Sequence, residues 1–179
     1  ILHQRLYHDC FISSLTLYTS IMFISHPTNH HTSSSITPGK STTLSQLSGL
    51  IAPTSGDATV FGRNIVGELS QVQQMIGVCP QQNILYEHLT VMEHLRLYAA
   101  LKNVPKCKVE EQATSLLQDI ALTTKRHALI PTLSGGQKRK VCLAISLVGD
   151  SKVLFLDEPT SGMDVFAQRS TWNLLKMKR

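Results

Sequence analysis

The sequence predicts an α/β fold, and two stretches near its carboxyl-terminal end support that prediction. Ser134 and Gln137 stand three residues apart, which is the spacing of a capping box, so we expect a helix to begin there. Further on, the apolar run 153–156 ends at Asp157 and Glu158. Such a run is typical of a strand buried on both faces of a parallel sheet. The two acids are then expected at the carboxyl end of that strand, where open α/β sheets hold their ligands.

The start of the predicted helix has the chemistry of an anion site. A helix N-terminus carries partial positive charge, and Gly135 and Gly136 allow the backbone to approach a ligand closely. Lys138, Arg139 and Lys140 follow in or near the first turn, where the helix dipole disfavours cations. Their presence is easier to explain if an anion binds there. Of the two acids that follow, one can hold Mg²⁺ and the other can orient an attacking water.

The composition fits one globular domain with a sizeable core. The chain has 179 residues, of which 42% are hydrophobic and 16% are charged, and its net charge is +5. That charge is compatible with phosphate ligands or an anionic membrane face and does not by itself indicate nucleic acid.

Because the chain begins with Ile1 rather than methionine, we expect a fragment or an incomplete gene model. The cysteines are scattered without a C-x-x-C pair, which suits a reducing cytosol and predicts neither a disulfide framework nor a zinc site. They are Cys10, Cys79, Cys107 and Cys142.

Residues 1–31 differ in character from the rest of the chain. The apolar run 10–24 contains several serines and threonines and is shorter than the roughly twenty apolar residues of a membrane span. Three clustered histidines have no cysteine or carboxylate beside them, so a polar tail is a better interpretation than a metal site. They are His26, His30 and His31. We predict that residues 1–31 are disordered or an artefact of the gene model, and that the domain itself covers residues 32–179.

A degenerate phosphate-binding loop follows this segment. The P-loop pattern is G-x-x-x-x-G-K-[ST], and Gly39, Lys40 and Ser41 fit its second half. Ser34 stands where the first glycine of the pattern is expected, and Pro38 replaces a residue that has an N–H group. The match to the P-loop pattern is therefore weak by itself, and it is supported by its position ahead of a predicted helix.

Local signals predict the remaining elements. Thr90 and Glu93 form a second capping box, so a helix is expected to begin there and to run to about Leu101. Apolar residues at helical spacing predict another helix over 106–120. The other predicted elements are a helix from Thr43 that ends near Gly49, a turn at 53–56, a strand at 58–61, a helix at 69–75, a strand at 76–79 that Pro80 ends, and a helix at 165–177.

The two stretches closely resemble the signature motif and the Walker B segment of ATP-binding-cassette (ABC) ATPases. The sequence LSGGQ at 133–137, followed by four apolar residues and DEPTSGMD at 157–164, is very specific for that family. Gln81 takes the place of the Q-loop glutamine, and residues 161–164 match the D-loop. The family usually has a further glycine at the position of Thr37.

The resemblance implies a P-loop NTPase fold, in which an α/β ABC ATPase core with a mixed sheet carries an inserted helical subdomain at about 82–132. It covers about 37–179, so we expect a nucleotide-binding domain that is incomplete at both ends. The switch histidine of the family is expected beyond residue 179. In the family the helical subdomain docks on transmembrane domains. The apolar faces of its predicted helices are expected to pack in the core, and no catalytic role is expected for these helices.

The resemblance also implies a composite site for ATP and Mg²⁺. Glu158 and Gln81 are the expected catalytic residues, and Ser41, Gln81 and Asp157 are the expected Mg²⁺ ligands. The residues expected to bind ATP are Gly39, Lys40, Ser41, Thr42, Ser134, Gly135, Gly136 and Gln137. In the family the signature of one domain completes the ATP site of another, head to tail. The expected partners are therefore a second nucleotide-binding domain and the transmembrane domains of a transporter at the cytosolic face of a membrane, and no nucleic acid is expected.

Residues 78–85 and 89–95 are similar to the A subfamily of eukaryotic ABC transporters, which implies ATP-driven transport of lipids. Two alternatives stay open. The chain could be a non-catalytic fragment with impaired nucleotide binding, because its P-loop is degenerate. It could also belong to a soluble ABC ATPase of translation or DNA repair, which shares these motifs but has no transmembrane partner. Transmembrane segments flanking this stretch would favour the transporter, and a tandem soluble repeat would favour the soluble ATPase.

Overall fold

The computed structural model describes residues 21–25 and 40–177. In the described residues up to 79 strands are interspersed with two helices, and helices dominate after that point. The helices are α1 (Lys40–Leu47), α2 (Leu69–Met75), α3 (Val91–Leu101), α4 (Lys106–Asp119), α5 (Gly135–Leu147) and α6 (Val165–Met177). The strands are β1 (Ile21–Ser25), β2 (Thr59–Val60), β3 (Arg63–Asn64), β4 (Ile76–Cys79) and β5 (Val153–Asp157). No helix within residues 40–177 combines the length and the apolar character needed to cross a membrane.

The main sheet is mixed, as the family resemblance implied. Its strand order is β1–β5–β4, with β4 parallel and β1 antiparallel to the central strand. The parallel register pairs Ile76 with Val153 and Cys79 with Leu156. Consequently the loops that leave β4 and β5 emerge at the same edge of the sheet.

Alternate residues of β5 face two different hydrophobic clusters, which is why the whole strand is apolar. Val153 and Phe155 join the cluster formed by α1, α2 and β2. Leu154 and Leu156 join the larger cluster formed by α3, α4, α5 and α6. Side chains of successive strand residues point to opposite faces, so the sheet lies between these two layers.

The helices α3 and α4 are attached to the rest of the structure near the amino ends of β4 and β5. Lys102 ends α3, and its Nζ donates to the carbonyl oxygens of Ile76 and, at 2.7 Å, Gln73. Burial lowers the pKa of Lys102 to about 8. Gln112 of α4 bonds the turn before β5, accepting from the Gly149 N–H and donating to Asp150 Oδ1, both at 3.1 Å.

Most predicted elements are confirmed, and the differences are local. Helix α3 begins at the predicted capping box, with both of its reciprocal bonds formed. The predicted strand 58–61 is shorter, because Phe61 adopts a φ of 49° and turns the chain into β3. Of the predicted N-terminal segment the structure describes only residues 21–25, which form β1. The prediction that residues 1–31 are disordered or an artefact of the gene model stays a prediction. The boundary at residue 32 stays a prediction.

Candidate functional site

The signature turn forms the capped N-terminus of α5. Ser134 Oγ accepts from the Gln137 N–H at 3.3 Å, and Gln137 Oε1 accepts from the Ser134 N–H at 3.0 Å. Gly135 begins the helix, and among the described residues no atom outside its own helix and chain neighbours lies within 4 Å of a Cβ built on it. Gly135 therefore leaves room for a ligand beside the positive end of a helix, as an anion site requires.

The predicted catalytic pair is formed at the carboxyl edge of the sheet. Gln81 follows β4, and Glu158 follows β5. Gln81 Nε2 donates to Glu158 Oε2 at 3.2 Å, across 77 residues of sequence. Because β4 and β5 are parallel neighbours, the structure brings Gln81, Asp157 and Glu158 to one edge. The apolar run 153–156 predicted this position for Asp157 and Glu158, whereas the contact with Gln81 was not predicted.

Glu158 has an unusual backbone conformation. Its φ is 48°, in the left-handed region that residues other than glycine rarely adopt. Such a conformation costs of the order of 1–3 kcal/mol and is concentrated at functional sites. The turn is closed by the Ser161 N–H, which donates to the Glu158 carbonyl oxygen at 3.0 Å.

Arg139 is buried, which the sequence did not predict. The sequence suggested a cation near a docked anion, but this side chain is only 2% exposed and is turned towards the sheet. Its guanidinium donates to backbone oxygens on both loops of the catalytic pair. The acceptors are the carbonyl oxygens of Pro80, Gln81 (3.1 Å), Asp157 (2.5 Å), Glu158 (2.8 Å) and Pro159 (3.2 Å).

Arg139 lies on a buried face of α5. Leu143 and Ser146 stand at helical spacing from it, and both are buried as well. The helix α5 is buried on several faces rather than on one stripe, since residues 141–146 are buried without interruption.

The predicted P-loop residues are described only in part. Gly39, like Ser34, Thr37 and Pro38, lies outside the described residues. Lys40 and Ser41 begin α1, and Thr42 is exposed in its first turn. Their assignment to ATP or Mg²⁺ stays a prediction.

The predicted D-loop lies against the signature turn of the same chain. A Cβ built on Gly136 would lie 3.9 Å from Met163 Cγ. Asp164 precedes α6, and its Oδ1 accepts from the Ala167 N–H at 2.9 Å. The Asp164 carboxylate is therefore the N-terminal cap of α6 in this structure.

The donor set at the carboxyl edge fits a nucleotide-bound Mg²⁺ better than a dedicated metal cage. Asp157, Glu158 and Gln81 offer carboxylate and amide oxygens, which this ion prefers, and Mg²⁺ commonly takes one or two carboxylates with substrate phosphates completing its shell. Among the described residues no three histidine, cysteine, aspartate or glutamate side chains gather as a metal site.

Thiol chemistry is not a feature of this edge. Cys79 ends β4 directly before the Q-loop, and it is fully buried. Burial raises the pKa of its thiol to about 12, which outweighs the opposing effect of the nearby Arg139 guanidinium. Cys79 is therefore a neutral core side chain at physiological pH.

Comparison with known sequences agrees with the geometry. The ABC transporter family matches residues 38–161. The chain is 45% identical over 137 residues to human ATP-binding cassette sub-family A member 2 and 50% identical over 137 residues to the human retinal-specific phospholipid-transporting ATPase. Each alignment covers 76% of this chain and 6% of the relative. ABC transporter A family member 4 of Dictyostelium discoideum is 50% identical over 141 residues, which cover 76% of this chain and 9% of that protein.

Two solved structures have the same fold. An ATP-binding subunit of an ABC transporter is 26% identical with a TM-score of 0.71, and the match covers 78% of this chain and 58% of that one. A dimeric post-hydrolysis state of an ATP-binding cassette bound to ADP and Pi is also 26% identical, with a TM-score of 0.70 over 77% of this chain and 63% of that one. The match of the family over 38–161, the shared fold and the A-subfamily relatives lead to one conclusion: this chain belongs to the ABC transporter family and carries part of its ATP-binding domain.

Proposed function

We propose that this chain binds and hydrolyses ATP as the nucleotide-binding domain of a transporter, and that the transported substrate is a lipid. The observation that carries the first part is the 3.2 Å contact between Gln81 and Glu158 at the carboxyl edge of the sheet. The lipid part rests on relatives such as the human phospholipid-transporting ATPase, which is 50% identical over 137 residues. In this proposal residues 32–179 form the domain, and about 82–132 form its helical subdomain.

Glu158 is the general base of the proposed reaction. Its carboxylate takes a proton from the attacking water while the water oxygen bonds to the γ-phosphorus of ATP. The bond from that phosphorus to the bridging oxygen of the β-phosphate breaks, which yields ADP and Pi. Gln81 holds the Glu158 carboxylate from the side through its amide N–H.

The remaining site residues bind rather than react. Asp157, with Ser41 and Gln81, would hold Mg²⁺, which neutralises charge on the phosphates. Gly39, Lys40, Ser41 and Thr42 would contact the phosphates of the nucleotide bound to this chain. The signature residues 134–137 would contact a nucleotide held by a second domain, since Gly135 at the N-terminus of α5 leaves room for a ligand among the described residues.

This arrangement requires two partners. A second nucleotide-binding domain, head to tail, completes each ATP site, and transmembrane domains at the cytosolic face of a membrane use the energy. A dilute monomer of this chain should therefore show negligible ATPase activity. Activity that is robust and independent of protein concentration would contradict the composite site.

The decisive variant is Glu158→Gln, tested in the assembled protein. It keeps the shape of the side chain but removes the base, so hydrolysis should fall by roughly 100-fold or more while ATP binding is retained. Glu111→Gln, on the exposed surface of α4, is a matched control that should leave both unchanged. Unchanged turnover in Glu158→Gln would remove this carboxylate from the mechanism.

A second candidate is a non-catalytic domain that binds nucleotide weakly or not at all. Ser34, Thr37 and Pro38 replace residues that shape the phosphate cradle, which favours a non-catalytic domain with weak nucleotide binding. A titration with a fluorescent ATP analogue distinguishes the two candidates.

A further inference from the structure

We propose that Arg139 is a positioning residue that holds Gln81 and Glu158 in contact. The inference deepens the proposed ATPase function and rests on it for its catalytic meaning. Its structural part concerns only how two loops are fixed, so it can be tested without nucleotide.

Every N–H group of the Arg139 guanidinium donates a hydrogen bond. An arginine guanidinium offers five N–H groups in a planar fork. Arg139 Nη1 donates to the carbonyl oxygens of Pro80 and Gln81, and Nη2 donates to those of Asp157 and Glu158. Its Nε donates to the carbonyl oxygen of Pro159 at 3.2 Å. One planar group thus bonds the start of the Q-loop and the end of the Walker B segment at the same time.

These bonds involve backbone atoms, and this matters for the catalytic pair. The carbonyls of Gln81 and Glu158 are bonded by the two different Nη atoms of one guanidinium, so the separation of the two backbones is limited by the width of that group. The side chains of Gln81 and Glu158, which are in contact at 3.2 Å, therefore extend from two backbones whose separation Arg139 limits. The left-handed φ of Glu158, 48°, also needs support from its surroundings, and Arg139 bonds the carbonyl groups on both sides of it.

Among the described residues, the charge of Arg139 is balanced by carbonyl dipoles rather than by a carboxylate. A buried cation is costly unless it is well bonded, and removing such a group leaves several buried carbonyl oxygens without donors. A lysine carries its donors on a single atom, so it cannot bond two loops in the planar pattern of arginine. Arg139→Lys therefore keeps the charge and loses the geometry, whereas Arg139→Met loses both.

The test is hydrogen–deuterium exchange of the complete chain without nucleotide, comparing these two variants with the wild type. We expect amide exchange to increase by about tenfold or more in peptides covering 81–86 and 158–163, as the loss of a charge-assisted hydrogen bond loosens local structure. Exchange in α4 and in the β2–β3 hairpin should stay unchanged. Arg96→Met is the control, because Arg96 pairs with Glu110 on the exposed side of α3. It should not affect either loop.

Two results would overturn the inference. One is unchanged exchange at both loops in Arg139→Lys, and the other is an equal increase throughout the chain, which indicates only a general loss of stability. Should Arg139→Met fail to fold, Arg139→Lys still decides between these outcomes.

A second readout separates this inference from the proposed function. In the assembled protein Arg139→Lys should lower kcat for ATP hydrolysis roughly 10- to 100-fold, the cost of misplacing catalytic groups, with KM for ATP changed less than about twofold. If amide exchange increases at the two loops of Arg139→Lys but the assembled wild-type protein hydrolyses no ATP, the role of Arg139 is supported and the proposed function is refuted. Normal kcat in Arg139→Lys would refute the role of Arg139 and leave the proposed function intact.

Discussion

A Cβ atom built on Gly77 would lie 1.8 Å from the carbonyl oxygen of Ser146. The helix α5 thus packs directly on the backbone of β4, at a distance that only glycine allows. The contact is with backbone rather than with a flexible side chain, so neither partner can yield without moving α5 away from the sheet.

Replacing Gly77 by alanine should lower the free energy of unfolding by about 1–3 kcal/mol, towards the upper end, because the overpacking cannot be relieved by a rotamer change. The measurement is urea denaturation followed by circular dichroism. Gly67→Ala is the matched control, since a Cβ there meets nothing within 4 Å, and it should change stability by less than about 0.5 kcal/mol. Equal effects at the two glycines would contradict the packing described for α5.

The left-handed backbone of Glu158 can be tested by two substitutions that both remove the carboxylate. Glycine adopts a φ of 48° without strain, whereas alanine pays the steric cost of roughly 1–2 kcal/mol. Glu158→Gly should therefore be more stable than Glu158→Ala, although glycine generally destabilises a folded chain. Thermal unfolding of the two variants measures the difference, and greater stability of the alanine variant would show that Glu158 has an ordinary φ.

The capping box of α3 predicts a defined pH dependence. The backbone N–H of Thr90 lowers the pKa of Glu93 below 4.5, and the Thr90 hydroxyl lowers it further. Because the pKa in the folded state lies below that of the unfolded chain, the carboxylate stabilises the fold above pH 4.5, and this contribution is lost as the pH falls through the lowered pKa.

Glu93→Gln keeps an acceptor at this position but has no charge to titrate. Wild type should be the more stable protein at neutral pH, and the gap should close in acid. Denaturant unfolding of both proteins across this pH range measures the gap. A constant gap would exclude Glu93 as the titrating group.

The P-loop prediction concerns residues outside the described part of the chain. Successive backbone N–H groups surround the phosphates in a P-loop, and glycines permit the φ angles that this needs. A hydrogen bond to a charged group contributes about 1.5–3 kcal/mol, so the donor lost at Pro38 should weaken ATP binding roughly 10- to 150-fold. The triple variant Ser34→Gly, Thr37→Gly, Pro38→Ala should bind a fluorescent ATP analogue correspondingly tighter. If both proteins bind equally well, the altered loop still forms its cradle, and the non-catalytic candidate loses its main support.

Local sequence signals were sufficient for the elements that are specified locally. Both capping boxes, at Ser134 and at Thr90, form as predicted because a cap and its partner lie three residues apart. The position of β5 followed from its apolar run, and its carboxyl end predicted where Asp157 and Glu158 lie. These features need no knowledge of the rest of the chain.

The role of Arg139 could not be predicted in the same way. Its acceptors lie between 18 and 59 residues away in sequence, and they are backbone oxygens, which every residue possesses. A side-chain pattern cannot report such partners. The antiparallel pairing of β1 with β5 was equally hidden, since residues 21–25 match no motif of the family.

Hydrogen bonds from helices hold both ends of β4 and β5, and this has a mechanical consequence. Lys102 and Gln112 bond the amino ends of β4 and β5, and Arg139 bonds the loops at their carboxyl ends. A strand of four residues such as β4 is about 13 Å long, which sets the distance between the two sets of bonds. The bonds at the amino ends come from α3 and α4, whereas those at the carboxyl ends come from α5. A force applied to α3 or α4 from outside therefore acts on the sheet first at the amino ends of β4 and β5, which is the end opposite to Gln81 and Glu158.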